Sequence, residues 1–262
     1  MMLKTKIKTA VVRLHSIIIE PIKLALYPNK CICCGRLLPE GKTLCELCHH
    51  HIERVNPNKR CKVCGFEKQF CHCKYNVYHF EGVVAPFYNA GLAQKALYNY
   101  KLFLKKQYSR YFAAKMVQCV KRELSDREFD AVCYVPTAHN TIRYKGFDHA
   151  GLLAEQIGEL LNIPVYSDVL FRKKGGRKQH TLSQKERYKN VRGRYGFNRR
   201  VDNKNILLVD DILTTGATLD ECSRQLLFAG AESVYCVTAL ITAPNYKISD
   251  YAENLEFMLV DG

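Results

Sequence analysis

Nine of the thirteen cysteines in this 262-residue chain fall between Cys31 and Cys73. Two closely spaced cysteines are followed about ten residues later by a second close pair, and this arrangement occurs twice. Four thiolates supplied by two such pairs form the usual closed site of a structural zinc ion, which leaves no position open for substrate. We therefore expect one structural zinc ion and, on weaker grounds, a second, with roles in folding or docking. The two sets are Cys31, Cys34, Cys45 and Cys48, and then Cys61, Cys64, Cys71 and Cys73.

The second set departs from the regular spacing. Its last pair is separated by a single residue, and that residue, His72, is an alternative ligand. Cys33 is surplus to the first set. Exchange of ligands between the sets and an iron–sulfur cluster are the alternatives to separate zinc ions. The other four cysteines lie singly in apolar stretches and are expected in the core: Cys119, Cys133, Cys222 and Cys236.

A different chemistry is indicated between Ile206 and Thr218, where an apolar strand pattern leads into two acids and a turn rich in hydroxyl groups. Unpaired amides at the start of the following helix favour an anion, and a glycine lets a phosphate approach the backbone. Paired carboxylates at a strand end can accept hydrogen bonds from vicinal ribose hydroxyls and help to hold Mg²⁺. A helix cap that binds nothing is the alternative. The residues are Asp210, Asp211, Thr214, Thr215, Gly216, Ala217 and Thr218.

The formal net charge is +15, and twelve lysines and arginines lie between Arg172 and Arg200 with Glu186 as the single acid. Three interpretations remain open: a loop that supplies cations to pyrophosphate, a surface for single-stranded nucleic acid, and a solvated basic loop. Tyr188, Tyr195 and Phe197 interleave with the cations, and aromatic faces can stack on bases. The candidate lid or nucleic-acid residues are Arg172, Lys173, Lys174, Arg177, Lys178 and Arg187.

These candidate sites need a scaffold, and the hydrophobic pattern predicts one. Short apolar strands alternate with helical segments, which indicates an α/β fold with a doubly wound, mostly parallel sheet. Strands are expected at Ala131–Val135, Pro164–Val169, Ile206–Val209 and Val234–Leu240. Helices are expected at Leu92–Phe103, Tyr108–Leu124, Ala150–Leu161 and Leu219–Ala229, the last closed by Gly230.

Three segments are expected along the chain: an amphipathic helix over residues 1–30, a double zinc-ribbon module over 31–74 and the α/β domain over 78–262. The first helix packs on the protein itself or binds a membrane surface or partner. No run approaches the ~20 apolar residues of a membrane span, so we expect no span and a cytoplasmic location with reduced thiols.

The segment from Ile206 to Thr218 resembles the phosphoribosyl pyrophosphate (PRPP) motif of type I phosphoribosyltransferases. The resemblance implies that Asp210 and Asp211 hold the ribose hydroxyls and that the turn after them cradles the 5-phosphate. Tyr100-Lys101 resembles the Y-K element near the start of that domain and places Lys101 near the pyrophosphate. The implied ligand is PRPP together with Mg²⁺.

Cysteine knuckles ahead of such a domain are similar to the ComF (ComFC) family, which is linked to DNA uptake in natural transformation. Residues 143–150 resemble the R-G-F-N-Q-A element of that family, although Lys145, Asp148 and His149 replace its usual Arg, Asn and Gln. Residues 179–191 match its Q-x2-L-S-x3-R-x2-N-V segment. The resemblance extends over residues 31–241 and leaves the first helix outside it.

The resemblance implies a PRPP-binding protein that handles imported single-stranded DNA during transformation. Its expected partners are PRPP, single-stranded DNA, and a DNA-uptake helicase or other competence proteins. The alternative is an active Mg-dependent phosphoribosyltransferase that acts on an unidentified base or nucleotide, for which no side chain in the sequence stands out as a general base.

Overall fold

The computed structural model describes residues 28–71, 73–74, 76–103, 106–137, 148–173 and 191–242. The helix expected over residues 1–30 lies almost entirely outside these ranges. His72, Lys145 and the basic residues Lys174, Arg177, Lys178 and Arg187 lie outside them as well. The chain divides into two compact units, Met1–His51 and Ile52–Gly262.

The first unit holds the first cysteine set. An antiparallel bridge joins Lys30 to Leu37, and the Asn29 side chain donates hydrogen bonds of 2.7 Å to the carbonyls of Pro39 and Lys42. A short helix, α1 (Glu46–His51), begins between the last two cysteines of the set and buries Cys48. Regular structure is therefore sparse around these four cysteines, which is typical of small metal-stabilised folds.

The second unit is built on a parallel sheet. Its strands are β1 (Gly82–Val84), β2 (Phe87–Tyr88), β3 (Ala131–Tyr134), β4 (Leu170–Arg172), β5 (Tyr195–Phe197), β6 (Asn205–Leu213) and β7 (Ser233–Ile241). The sheet order is β1-β7-β6-β3, with β2 continuing the edge beside β7, and every pairing in this sheet is parallel. Strands β4 and β5 form a separate antiparallel ribbon. The expected α/β fold with a parallel sheet is confirmed.

Four longer helices accompany the strands: α2 (Gly91–Phe103), α3 (Lys106–Glu123), α4 (His149–Leu161) and α5 (Ala217–Phe228). Each corresponds to an expected helix, with ends shifted by at most two residues. Local signals explain the C-terminal ends of two helices. Asn162 ends α4 with a left-handed backbone, and Gly230 follows α5 with φ 97°. Among the described residues, none of the helices is both long and apolar enough to cross a bilayer.

Two strand predictions need correction. The segment expected as a strand at Pro164–Val169 contributes one parallel bridge, Val132 to Val165, and the chain then forms β4 from Leu170. The strand expected to end at Val209 continues to Leu213, because its backbone stays paired with β7 beyond the two acids. The edge strands β1 and β2 were not predicted, since β1 has only three residues and β2 only two.

The core lies between the sheet and its helices, and Ile206, Leu207, Leu208 and Val209 are almost fully buried within it. This continuous apolar run is typical of a parallel strand that is covered on both faces. The four isolated cysteines are buried, as expected: Cys119, Cys133, Cys222 and Cys236.

Candidate functional site

The turn between β6 and α5 has the geometry of an anion-binding helix start. Gly216 precedes the helix in the left-handed region, with φ 82° and ψ −12°. The Thr215 hydroxyl accepts the amide of Ala217 at 3.4 Å, and the Asp220 amide donates to the Gly216 carbonyl at 2.8 Å. The first amides of a helix point outward without intrahelical acceptors, and the helix dipole adds positive potential there. The turn can therefore receive a phosphate group.

The two acids before this turn have different surroundings. The Asp211 carboxylate forms an ion pair with Lys101, and both side chains remain about one-quarter exposed, at 23% and 27%. Asp210 accepts the Asp211 amide at 2.8 Å. Burial raises the pKa of Asp210 well above its ordinary value, and the neighbouring charge of Asp211 raises it further. The ligand-free site thus disfavours the charged form of Asp210 relative to an exposed carboxylate.

The Tyr100-Lys101 element places the cation beside the acids. Tyr100 is fully buried in α2, and its hydroxyl donates a 2.8 Å hydrogen bond to the carbonyl of His149 at the start of α4. The next residue, Lys101, reaches Asp211 from this fixed position. Tyr100 anchors the helix and Lys101 supplies the charge, so the structure brings together the acids, the turn and the lysine that the sequence selects.

Glu53 fixes the other end of α2 and was missed in the sequence. Its buried carboxylate accepts the amides of Leu92 at 3.1 Å and Ala93 at 2.9 Å, and so satisfies two donors of the first helical turn. A Cβ at Gly91 would lie 2.0 Å from the Glu53 carboxylate, so this site requires glycine. Because 39 and 40 residues separate the partners, local sequence patterns carry no sign of this cap.

Asp148, one of the departures from the ComF pattern, is fully engaged within the protein. It caps α4 by accepting the amides of Ala150 at 3.0 Å and Gly151 at 3.3 Å. It also accepts the amide of Thr137 at 2.9 Å and its hydroxyl at 3.0 Å. The acid therefore joins Thr137, which follows β3, to the start of α4.

The ribbon of β4 and β5 corrects one interpretation of the basic stretch. Tyr195 is buried in the core, so it presents no free face for stacking on a base, whereas Phe197 is partly buried against that core and Tyr188 lies outside the described residues. Arg199 pairs with Asp168 at 2.8 Å and Arg200 pairs with Asp202. Of the candidate cations, Arg172 is half-buried 5.8 Å from the Tyr195 ring and Lys173 is exposed.

Each cysteine set brings four sulfur atoms to within 4.8 Å of one another. The sulfur–sulfur distances are 3.8 Å for Cys34–Cys45, 3.8 Å for Cys61–Cys73 and 3.7 Å for Cys64–Cys71. A tetrahedral zinc ion with Zn–S bonds of ~2.3 Å separates its sulfurs by about 3.8 Å. All thirteen cysteines are free thiols. Each set therefore fits one zinc ion with its own four sulfur atoms.

The two sets also share one backbone design. In each, the amide of the first cysteine donates to a carbonyl five residues later, and the glycine after the second cysteine donates back to the first. Both glycines have left-handed backbones, with φ 78° at Gly35 and 75° at Gly65. The bonds are Cys31 to Arg36 (2.8 Å), Gly35 to Cys31 (2.9 Å), Cys61 to Phe66 (2.7 Å) and Gly65 to Cys61 (3.0 Å).

The second set belongs to the same compact unit as the sheet, whereas the sequence grouped it with the first set in residues 31–74. Cys64 and Phe66 are buried in the same core cluster as Leu213 and Ile241. The division into compact units falls at His51, so the expected boundary near residue 74 stays a prediction.

The chain is similar to known proteins over most of its length. Residues 141–256 match the phosphoribosyl transferase domain family. Competence protein F of Haemophilus influenzae is 28% identical over 220 residues, which cover 78% of this chain and 93% of that protein. Competence protein ComFC of Streptococcus pneumoniae is 25% identical, with 78% and 96% covered. DNA utilization protein YhgH of Escherichia coli K12 is 29% identical over 40% of this chain and 46% of its own length. The resemblance to ComF proteins is confirmed.

Proposed function

We propose that this phosphoribosyltransferase-domain relative of the competence proteins binds Mg–PRPP between β6 and α5 and acts on imported single-stranded DNA. The observation that carries the proposal is the assembly of Asp210, Asp211 and Lys101 beside the turn that begins α5. Each group matches one part of PRPP: carboxylates suit ribose hydroxyls, helix amides suit the 5-phosphate, and a cation suits pyrophosphate.

Residues of the turn have complementary roles in this proposal. Thr214, Thr215 and Thr218 offer hydroxyls to the 5-phosphate, and Gly216 and Ala217 offer backbone amides. Lys101 leaves Asp211 and turns toward pyrophosphate, while Asp211 accepts a ribose hydroxyl in its place. Magnesium, when bound with PRPP, neutralises pyrophosphate charge. Residues Asp210 and Asp211 are the carboxylates available to it, directly or through water.

We assign one structural zinc ion to each cysteine set. The sulfur spacings support this assignment, and thiolate ligands with tetrahedral geometry are typical of zinc. A closed site of this kind stabilises its own segment and supplies no catalytic chemistry. We expect the thiols to be kept reduced in the cytoplasm, which is consistent with thirteen free cysteines.

DNA is the second ligand in the proposal. Support comes from the net charge of +15, from the basic residues in 172–200 and from relatives named for competence and DNA utilization. Because Tyr195 is buried and Phe197 is partly buried, we expect this segment to contact DNA phosphates mainly through its cations. A DNA-uptake helicase or another competence protein is the macromolecular partner that we expect.

Transferase activity is the alternative, and it would use Lys101 beside the acidic site as the cation for pyrophosphate. The protein would then stabilise departing pyrophosphate while an acceptor attacks the anomeric carbon. The test is pyrophosphate release in the presence of Mg–PRPP and candidate bases or nucleotides. Pyrophosphate release that depends on one acceptor would establish transferase activity. If no acceptor supports pyrophosphate release, the proposal of a PRPP-binding protein without transferase activity stands.

Calorimetric titration with Mg–PRPP tests the binding site. The double variant Asp210→Asn and Asp211→Asn should bind PRPP at least tenfold more weakly, because each carboxylate contributes a charge-assisted hydrogen bond worth roughly 1.5–3 kcal/mol. Asp126→Asn is the matched control, since that acid is 71% exposed and pairs with Arg127. Equal affinity in wild type and the double variant would disprove the assignment.

Salt dependence tests the DNA interface. The triple variant Lys174→Gln, Arg177→Gln and Lys178→Gln should lower the slope of log K against log salt by about 2, because each phosphate contact on a single strand contributes ~0.7. The measurement is fluorescence anisotropy with a labelled oligonucleotide at several salt concentrations. An unchanged slope would remove these three cations from the interface.

A further inference from the structure

The second cysteine set packs against Leu213, the residue just before the turn that is proposed to bind the 5-phosphate. A Cβ placed at Gly65 would lie 2.8 Å from Val83 Cγ1, 3.2 Å from Ile241 Cδ1 and 3.3 Å from Leu213 Cδ2. Leu213 is the last residue of β6, so the next residue, Thr214, opens the turn proposed for the 5-phosphate. The second cysteine set therefore contacts the chain at the start of that turn.

The chain that leaves the second set holds the other end. The His79 amide donates to Asp220 Oδ1 at 2.7 Å, and the His79 ring nitrogen Nδ1 lies 3.0 Å from the same oxygen. Asp220 is in the first turn of α5, and its own amide donates to Gly216 at 2.8 Å. Residues 214–218 thus lie between two contacts, one from Gly65 within the cysteine set and one from His79, which follows the set in the chain.

Further bonds tie the set to the sheet. The Tyr88 hydroxyl donates to Glu67 at 2.9 Å, three residues after Cys64. Arg60, which precedes Cys61 and is 4% exposed, donates to the Val83 carbonyl at 2.6 Å and pairs with Glu123. These contacts connect the second cysteine set to β1, β2 and α3. The set is therefore part of the packed unit that supports the turn.

We propose that the metal-bound second set is a positioning element for the PRPP site, and that metal binding there and PRPP binding strengthen each other. The proposal rests on the proposed function, because it concerns the same turn. Between Cys61 and Cys73 the described regular structure is the single 3₁₀ turn Lys68–Phe70, so four metal–sulfur bonds would add cross-links to a segment that has few of its own.

The coupling follows from the order of the turn. We expect that without the metal the second cysteine set no longer keeps a fixed position against Leu213. The His79 amide, which donates to Asp220, would then also become less ordered. PRPP must then order residues 214–218 itself, which weakens its binding. Coupling between two sites is reciprocal, so PRPP must raise metal affinity by the same factor, and typical couplings are about 5- to 150-fold.

Cobalt provides the spectroscopic test. The full chain with Cys31→Ser and Cys34→Ser lacks the first site and is loaded with Co²⁺ at the second. Mg–PRPP should shift the visible cobalt bands and raise the chelator concentration needed for half-removal by about fivefold or more. The same protein with Asp210→Asn and Asp211→Asn is the control, because it retains the cobalt site but should not respond to PRPP.

A glycine pair supplies an independent readout that needs no metal exchange. Gly35→Ala and Gly65→Ala introduce the same left-handed strain, but a Cβ meets no atom within 4 Å at Gly35 and meets Leu213 at Gly65. Gly65→Ala should weaken PRPP binding about fivefold or more, while Gly35→Ala should leave it unchanged.

The outcomes separate the two proposals. If wild type does not bind Mg–PRPP in the calorimeter, the proposed function fails. If PRPP binds but the cobalt spectrum, the chelator midpoint and the Gly65→Ala affinity all stay unchanged, the coupling is wrong and the proposed function stands.

Discussion

Replacing Asp148 with asparagine should destabilise the protein, although asparagine is the residue usual at this position in ComF proteins. The Asp148 carboxylate accepts four hydrogen bonds, two from the start of α4 and two from Thr137. Asparagine keeps one acceptor oxygen, and it caps helices as well as aspartate does. Its amide nitrogen, however, would face the amide of Thr137, where Oδ2 now accepts a 2.9 Å bond.

The magnitude follows from that lost bond. Hydrogen bonds to a charged group contribute about 1.5–3 kcal/mol, and the other three contacts can persist, so the unfolding free energy should fall by roughly 1.5–3 kcal/mol. For a chain of this size each kcal/mol shifts the unfolding midpoint by about 2–4 °C, which gives a decrease of roughly 3–12 °C. Asp148→Ala also loses the cap and should cost about 1 kcal/mol more.

Thermal and denaturant unfolding of wild type, Asp148→Asn and Asp148→Ala would measure this series. The expected order of stability is wild type, then asparagine, then alanine. Equal stability of wild type and Asp148→Asn would refute the reasoning, because it would mean that the acid form is not needed to hold Thr137.

Three further results are expected. Arg60→Met should lower the unfolding free energy by about 1–3 kcal/mol in chemical denaturation, because the buried Val83 carbonyl and Glu123 lose the Arg60 donors while Glu123 keeps Arg122; an unchanged unfolding free energy would contradict this. Elemental analysis should find two zinc ions per chain, one fewer in Cys71→Ser and no fewer in Cys33→Ser, since Cys33 is buried but outside both sets. Finally, PRPP binding should favour the ionised form of Asp210 and release a proton at pH values below its raised pKa. Affinity should therefore rise with pH through that pKa, while the ligand-free fold loses stability over the same interval. Calorimetry in buffers of different ionisation enthalpy would detect the release, and a buffer-independent enthalpy would exclude it.

The sequence was sufficient for features whose signals are local. A strand pattern, two acids and a hydroxyl-rich turn lie within thirteen consecutive residues, so the site between β6 and α5 could be located directly. The same holds for the cysteine pairs, because the ligands are few residues apart. Lys101 was placed near the site by resemblance to a known motif, and the ion pair with Asp211 agrees with that placement.

Features that depend on contacts between distant residues could not be predicted in this way. Glu53 caps a helix about forty residues away, and Tyr195 looks like an exposed aromatic in a basic stretch although the fold buries it. The packing of Gly65 on Leu213 joins residues from opposite ends of the unit. In each case the partner is chosen by tertiary packing, which outweighs local propensity.

Hydrogen exchange with and without Mg–PRPP tests the central claim most directly, because it locates the ligand on the chain. The backbone amides of residues 214–218 should become protected when PRPP is bound, and this protection should disappear in the Asp210→Asn, Asp211→Asn double variant. Binding that leaves residues 214–218 unprotected and protects a different surface would contradict the account.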